Sequence, residues 1–185
     1  MKKIICLAST ILLVSSLNLI SQTAKENQSN AEIFESKPGA LIETQFIEVG
    51  FVDLIELRVM KIKDINSGTA KSALRFEYQT SNQIISHTKL AVVDEDELEG
   101  LMDALNTLIF KAFKSEKKYY TEITFQSRSG FVAGGYYMVD KKKWMSYIQL
   151  NKSDSKSTVT LSIDEFENFL NLLKQAKEII QTPLK

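Results

Sequence analysis

The residues best equipped for chemistry lie late in the chain. Lys141-Lys142-Lys143 precede Trp144 and Tyr147, and Tyr136-Tyr137 stand just upstream. Aromatic rings beside ammonium groups can stack on bases or sugars while the cations hold phosphates. The competing reading is a solvated lysine turn running into a core tryptophan. Gly134-Gly135, just before the tyrosine pair, suit a bulge or a close backbone approach inside a strand. They also allow a groove in which Tyr136 and Tyr137 meet a ligand. The candidate ligand-binding set is therefore Tyr136, Tyr137, Lys141, Lys142, Lys143, Trp144 and Tyr147.

Other candidates fall away on spacing. His87 is the one histidine and Cys6 the one cysteine, too few for a zinc site built on those ligands. A Ser-His-Asp arrangement would need His87 as its base, and no nucleophile-elbow sequence is present. Asp94-Glu95-Asp96-Glu97 invites calcium, but the fifth and sixth loop positions counted from Asp94 are Leu98 and Glu99, where an oxygen ligand and glycine belong. Those acids read instead as a helix start whose carboxylates face the positive end of the macrodipole. Gly130, Gly134 and Gly135 miss the phosphate-loop spacing. No catalytic residue, metal ligand or cofactor is expected, although carboxylates distant in sequence could still meet as a hydrolase pair.

The N-terminus reads as an address. Lys2 and Lys3 precede a stretch from Ile4 to Ile20 without charge, centred on Ile11-Leu12-Leu13-Val14, and small or polar residues follow through Ala24. That order is the pattern of a cleavable secretory signal, expected over residues 1–24. An uncleaved anchor is the rival, but Ser9, Thr10, Ser15, Ser16 and Asn18 dilute a segment already short for a span. Cleavage would remove Cys6 and leave a periplasmic or extracellular protein of 161 residues (185 − 24) held together by packing alone.

Charge narrows the partners. Beyond the signal, 21 basic residues face 23 acidic ones, near balance, which argues against general polyanion binding. Residues 25–110 hold 8 basic and 15 acidic groups, whereas 111–185 hold 13 and 8. An apolar fraction of 44% with two prolines belongs to a folded chain.

Two similar halves position the candidate residues. Residues 25–39 are polar and read as a linker, followed by one duplicated domain over 40–185. A shift of 68 positions aligns Asp96-Glu97-Leu98-Glu99 with Asp164-Glu165-Phe166-Glu167, Leu101-Met102 with Phe169-Leu170, and Leu105 with Leu173. The same shift pairs Ile55 with Ile123, Leu57 with Phe125, and Phe76 with Trp144. Each half (about 40–113 and 119–182) reads as four strands and a helix. Strand expectations are 44–52, 54–63, 73–80 and 86–93, then 120–127, 131–139, 144–150 and 157–163. Ser162 with Glu165, and Asp94 with Glu97, fit capping boxes ahead of apolar helical stripes. Runs of strands closed by a helix predict an α+β fold of tandem antiparallel units. Lys114–Lys118 is the join, short enough that the halves share an interface.

The repeated four-strand-plus-helix unit resembles the Whirly family and the related transcriptional-coactivator fold. The Trp144–Leu150 strand, the lysine turn before it and the Ser162-capped helix are similar to that unit's second half. Ala70-Lys71-Ser72-Ala73-Leu74 loosely resembles the family's basic strand motif, without its glycine and one lysine. The resemblance covers topology over residues 40–182. It implies a single-stranded nucleic-acid module with Lys141, Lys142, Lys143, Trp144 and Tyr147 as contacts. Export and balanced charge favour another expectation, a non-enzymatic binding or structural domain serving an envelope protein or glycan.

Overall fold

The computed structural model describes residues 28–82 and 85–183; the expected signal segment lies outside them. A short helix α1 (Asn30–Glu35) precedes strands β1 (Ile42–Val52), β2 (Ile55–Asp64), β3 (Ala70–Asn82) and β4 (Ile85–Asp94). Helix α2 (Glu95–Thr107) runs into a π-helical turn (Leu108–Ala112). The second half follows as β5 (Thr121–Gln126), β6 (Val132–Met138), β7 (Lys143–Gln149), β8 (Thr158–Leu161) and helix α3 (Ile163–Gln181). Each set of four strands forms an antiparallel meander, in the orders β1-β2-β3-β4 and β5-β6-β7-β8. The chain is an α+β protein with a repeated unit.

The ends of the helices follow from their sequences. Ser162 Oγ accepts the Glu165 N–H at 3.2 Å, and Glu165 accepts the Ser162 N–H at 2.7 Å. Both orphan donors are thereby satisfied at the start of α3. At α2, Glu97 accepts the Asp94 N–H at 3.3 Å. Ser29 and Glu32 repeat the box at α1.

Helix α1 corrects the expectation of a linker over residues 25–39. Ser29 and Ala31 are fully buried. Ala31 and Phe34 cover Met60, Ile62, Ala73, Val92 and Ile42 on the outer face of the first sheet. One small cluster of apolar contacts is enough to order a polar hexapeptide, because the Asp94 carboxylate also accepts the Asn30 and Ala31 N–H groups at 2.7 and 2.9 Å. Those are the donors a helix start leaves unpaired.

A single core joins the halves. Phe76 of β3 stacks on Phe131, just ahead of β6, with centroids 4.5 Å apart, and Phe169 of α3 meets Phe76 edge-on at 5.9 Å. The helices do not stay with their own sheets. Helix α3 lies mainly against β1 and β2, and α2 touches β3 and β4 together with β5 and β6. Gly50 makes room for α3. It sits at a register shift in β1 with φ 150°, and a Cβ there would come within 2.9 Å of Leu172 Cδ2. Buried Lys61 of β2 donates to the Thr182 carbonyl at the end of α3, where a cation complements the helix terminus.

Cross-strand register refines the repeat. Phe76 faces Ala91, and Ile148 faces Val159. Ala91 and Val159 stand 68 positions apart (159 − 91), so Ile148 is the counterpart of Phe76, at 72 (148 − 76). The pairing of Phe76 with Trp144 is therefore incorrect. Ile55 lies in β2 and Ile123 in β5, so that pairing crosses non-equivalent strands too. The helices keep one spacing while the longer β3–β4 hairpin moves everything upstream out of phase.

Candidate functional site

Strand alternation divides the aromatic cluster between two surfaces. Tyr137 and Trp144 point inward. Tyr137 is 2% exposed and Trp144 8%, and their rings meet edge to face at 5.6 Å. Trp144 also packs against Phe113 at 5.6 Å and donates its indole N–H to the Ser115 carbonyl at 2.8 Å. A tryptophan with its faces packed and its donor satisfied cannot stack on a base or sugar. Tyr137 and Trp144 are thus core residues, and the base-stacking set expected around Trp144 is not assembled.

Tyr136 and Tyr147 point the other way, onto the outer face of the second sheet. Their ring centroids lie 6.2 Å apart. Tyr120, immediately before β5, extends the row by stacking on Tyr136 at 6.2 Å with a 30° interplanar angle, and it is 64% exposed. Sequence reading missed Tyr120 as a site residue. Its signal was parity: Tyr120 and Glu122 fall on one face of their strand and Ile123 and Phe125 on the other. Around the tyrosines stand exposed Glu122, Thr124, Gln126, Thr158 and Thr160.

The two glycines explain why this face is flat. A Cβ on Gly135 would meet the Phe113 ring at 2.5 Å, and one on Gly134 would meet the Ile123 carbonyl oxygen at 2.5 Å. The β5–β6 register runs unbroken through both positions. Close approach, rather than a bulge, is the role of the pair. Gly135 admits an aromatic ring on the core side, and Gly134, itself buried opposite Tyr147, admits the β5 backbone and the Thr124 side chain.

Tyr147 donates its hydroxyl to Glu122 Oε1 at 2.5 Å. Burial, then that carboxylate, pushes the Tyr147 hydroxyl well above the usual tyrosine range. Burial and the nearby Glu122 also raise Tyr120. Both phenols therefore stay protonated near neutrality, as hydrogen-bond donors with an apolar ring face. The Tyr147 hydroxyl is committed to Glu122 and its ring is buried, so the group free to stack on a ligand and donate to it is exposed Tyr120.

The lysines border this face. Lys141 and Lys142 are exposed in the β6–β7 turn, where Lys142 takes a left-handed conformation at φ 48°. Lys143 opens β7 opposite Met138 and shares the parity of Met145 and Tyr147. Of the seven residues anticipated, Tyr136, Tyr147 and Lys143 therefore share a surface and Lys141 and Lys142 edge it.

The acidic run is engaged elsewhere. Asp94, Asp96 and Glu97 bring carboxylate oxygens close together. Arg128 sits among them, bonded to Asp94, to Asp96 at 3.0 Å, and through its backbone N–H to Glu97 at 2.7 Å. The Arg128 hydrogen bond holds the Asp96 carboxyl below its ordinary range. Ser129 adds a bond to the Val92 carbonyl. This is a clasp between the halves, in which one guanidinium bridges three carboxylates. His87 lies in β4 opposite Thr80.

No protein-family profile, curated protein or solved structure matches the chain. Its function must be argued from the second sheet itself.

Proposed function

We propose that the protein is an exported, non-enzymatic binding domain that presents the outer face of its second sheet to an extended envelope glycan. The observation that carries this reading is exposed Tyr120 stacked on half-buried Tyr136 at the outer strand face, with buried Tyr147 packed beside them and hydroxyl, amide and carboxylate groups around. Sugar rings offer flat C–H faces and outward hydroxyls. Tyrosines supply rigid amphipathic contact area at low entropic cost, and threonine and glutamine supply adjustable hydrogen bonds. A flat face suits a polymer better than a small ligand, which needs enclosure.

Two experiments test it. Edman sequencing of protein recovered from the periplasm or medium should begin within a few residues of Lys25; recovery only as the full-length cytoplasmic chain would remove the export half of the proposal. Co-sedimentation with purified cell-wall glycan should be saturable and weaken at least tenfold in Tyr136→Ala. Absence of binding, or retention unaffected by Tyr136→Ala and Tyr120→Ala together, would overturn the binding face.

A further inference from the structure

One end of the second sheet gathers a different chemistry. The start of β5, the end of β6 and the start of β7 converge there, because Thr121 pairs with Tyr137 and Met138 with Lys143. The segment joining the halves is drawn to the same end by the Trp144–Ser115 hydrogen bond. Across residues 110–122 and 136–147 stand seven lysines against Glu116, Glu122 and Asp140, a local charge of +4 (7 − 3) in a chain whose formal net charge is zero. Glu122 is already bonded to Tyr147.

Large apolar side chains are exposed at this end as well. Phe110 projects from the π-helical turn while Leu108, Ile109 and Ala112 of that turn are buried. Tyr119 and Val139 are also exposed. Lys114 lies over the Phe110 ring at 5.5 Å and Lys118 over Tyr119 at 5.3 Å. Each pair places an ammonium group over an exposed ring, so cation and apolar surface are presented together.

We infer that this basic–aromatic end docks on an anionic phospholipid bilayer. Charge complementarity selects an anionic surface. The exposed Phe110, Tyr119 and Val139 select a surface with an apolar interior, since rings and aliphatic groups at headgroup depth are what an interfacial site buries. The cations are all lysines. The chain's three arginines, 58, 75 and 128, are bonded to carboxylates elsewhere, so the forked donor suited to fixed phosphate recognition is missing from this end. The docking is peripheral: no helix among the described residues is long and apolar enough to cross a membrane. It adds to the glycan-binding proposal and does not depend on it, because Phe110, Lys114, Tyr119, Lys141 and Lys142 lie outside the tyrosine face and Lys143 alone is shared with it.

Flotation of the chain from Lys25 onward, which retains every described element, tests the inference on vesicles of phosphatidylcholine with and without one-third phosphatidylglycerol. Binding is expected only with phosphatidylglycerol. It should fall about 100-fold when Lys141, Lys142 and Lys143 are all changed to Gln, at about 1 kcal/mol for each lysine near an anionic surface. A Phe110→Ser, Tyr119→Ser double variant should weaken it several-fold further in 0.5 M salt, where the apolar contribution persists. Circular dichroism confirms that both variants fold, and Arg58→Gln, on the first sheet, should float like the parent. No binding to the phosphatidylglycerol vesicles would overturn the inference. So would equal affinity for a thirty-residue oligothymidylate with no effect of the double variant, which would make the end a general polyanion site.

Discussion

The two sheets carry the same topology and opposite outer surfaces. On the first, α1 covers one end and the remainder carries paired charges beside exposed Phe46, Phe51 and Leu90: Glu56 with Arg58 at 2.6 Å, Arg75 with Glu77 at 3.1 Å, and Arg75 over the Phe46 ring. On the second, no helix among the described residues lies over the outer face, where exposed Tyr120 and half-buried Tyr136 stand beside buried Tyr147. Charges paired within one sheet satisfy each other and leave little for a partner. Exposed Tyr120 and the accessible part of Tyr136 are uncharged instead, and apolar ring surface gains when something covers it. The repeated unit thus carries two outer surfaces that differ in their charge.

The comparison can be broken at its base by asking whether the sheets belong to one body. Phe76→Ala removes the ring stacked on Phe131 and should cost about 3–5 kcal/mol. Urea denaturation followed by far-ultraviolet dichroism and by Trp144 fluorescence should still show one coincident transition. Two separated transitions would mean that the halves are independent and their faces are not comparable.

Next in size is the clasp. Arg128→Ala leaves the Asp94 carboxylate, buried beneath the half-exposed guanidinium, without its cation, at a cost of about 1–2 kcal/mol after discounting for solvent. It should also change the acid limb. Asp64, Asp96 and Asp154 are held below their ordinary range, chiefly by hydrogen bonds from Ser67, Arg128 and Lys89 respectively. A depressed carboxylate contributes stability above its unfolded pKa near ~4, and that contribution disappears as pH falls through the lower folded value. The denaturation midpoint should stay level from neutrality to about pH 5 and drop below about pH 4. In Arg128→Ala that drop should be shallower, as the Asp96 share is gone.

The faces themselves give the smaller effects. Tyr136→Ala should lower stability by about 1 kcal/mol, from cross-strand ring contacts, while removing most glycan retention in the sedimentation assay. Arg58→Gln, on the first sheet, should change stability by at most about 0.5 kcal/mol and leave retention untouched. Equal loss of retention in the two variants would erase the distinction between the faces.

Much of the architecture was readable from local signals. Alternation located all eight strands within a few residues, and the Ser162–Glu165 and Asp94–Glu97 spacings marked both long helices. The site was harder. Trp144 and Tyr147 stand three apart, an odd interval that sends strand side chains to opposite faces, so treating them as one cluster ignored information already in the numbering. Tyr136 and Tyr137 part for the same reason. The helix at Asn30–Glu35 carried its own Ser29-x-x-Glu32 signal, masked by a polar composition that gave no apolar stripe. The clasp could not be read at all. Arg128 meets Asp96 across 32 residues of chain, a contact made only when two sheets dock.

The packing of α3 on β1 and β2 has a consequence in time. Chains are made and delivered from the N-terminus, yet the first strands wait for the last nineteen-residue helix to cover them. Contacts spanning more than a hundred residues are slow to close, and the early sheet has an uncovered apolar side until they do. The protein is finished from its end. A chain halted short of Ile163 would have every strand of both sheets and no helix over β1 and β2, a state open to chaperones and proteases alike.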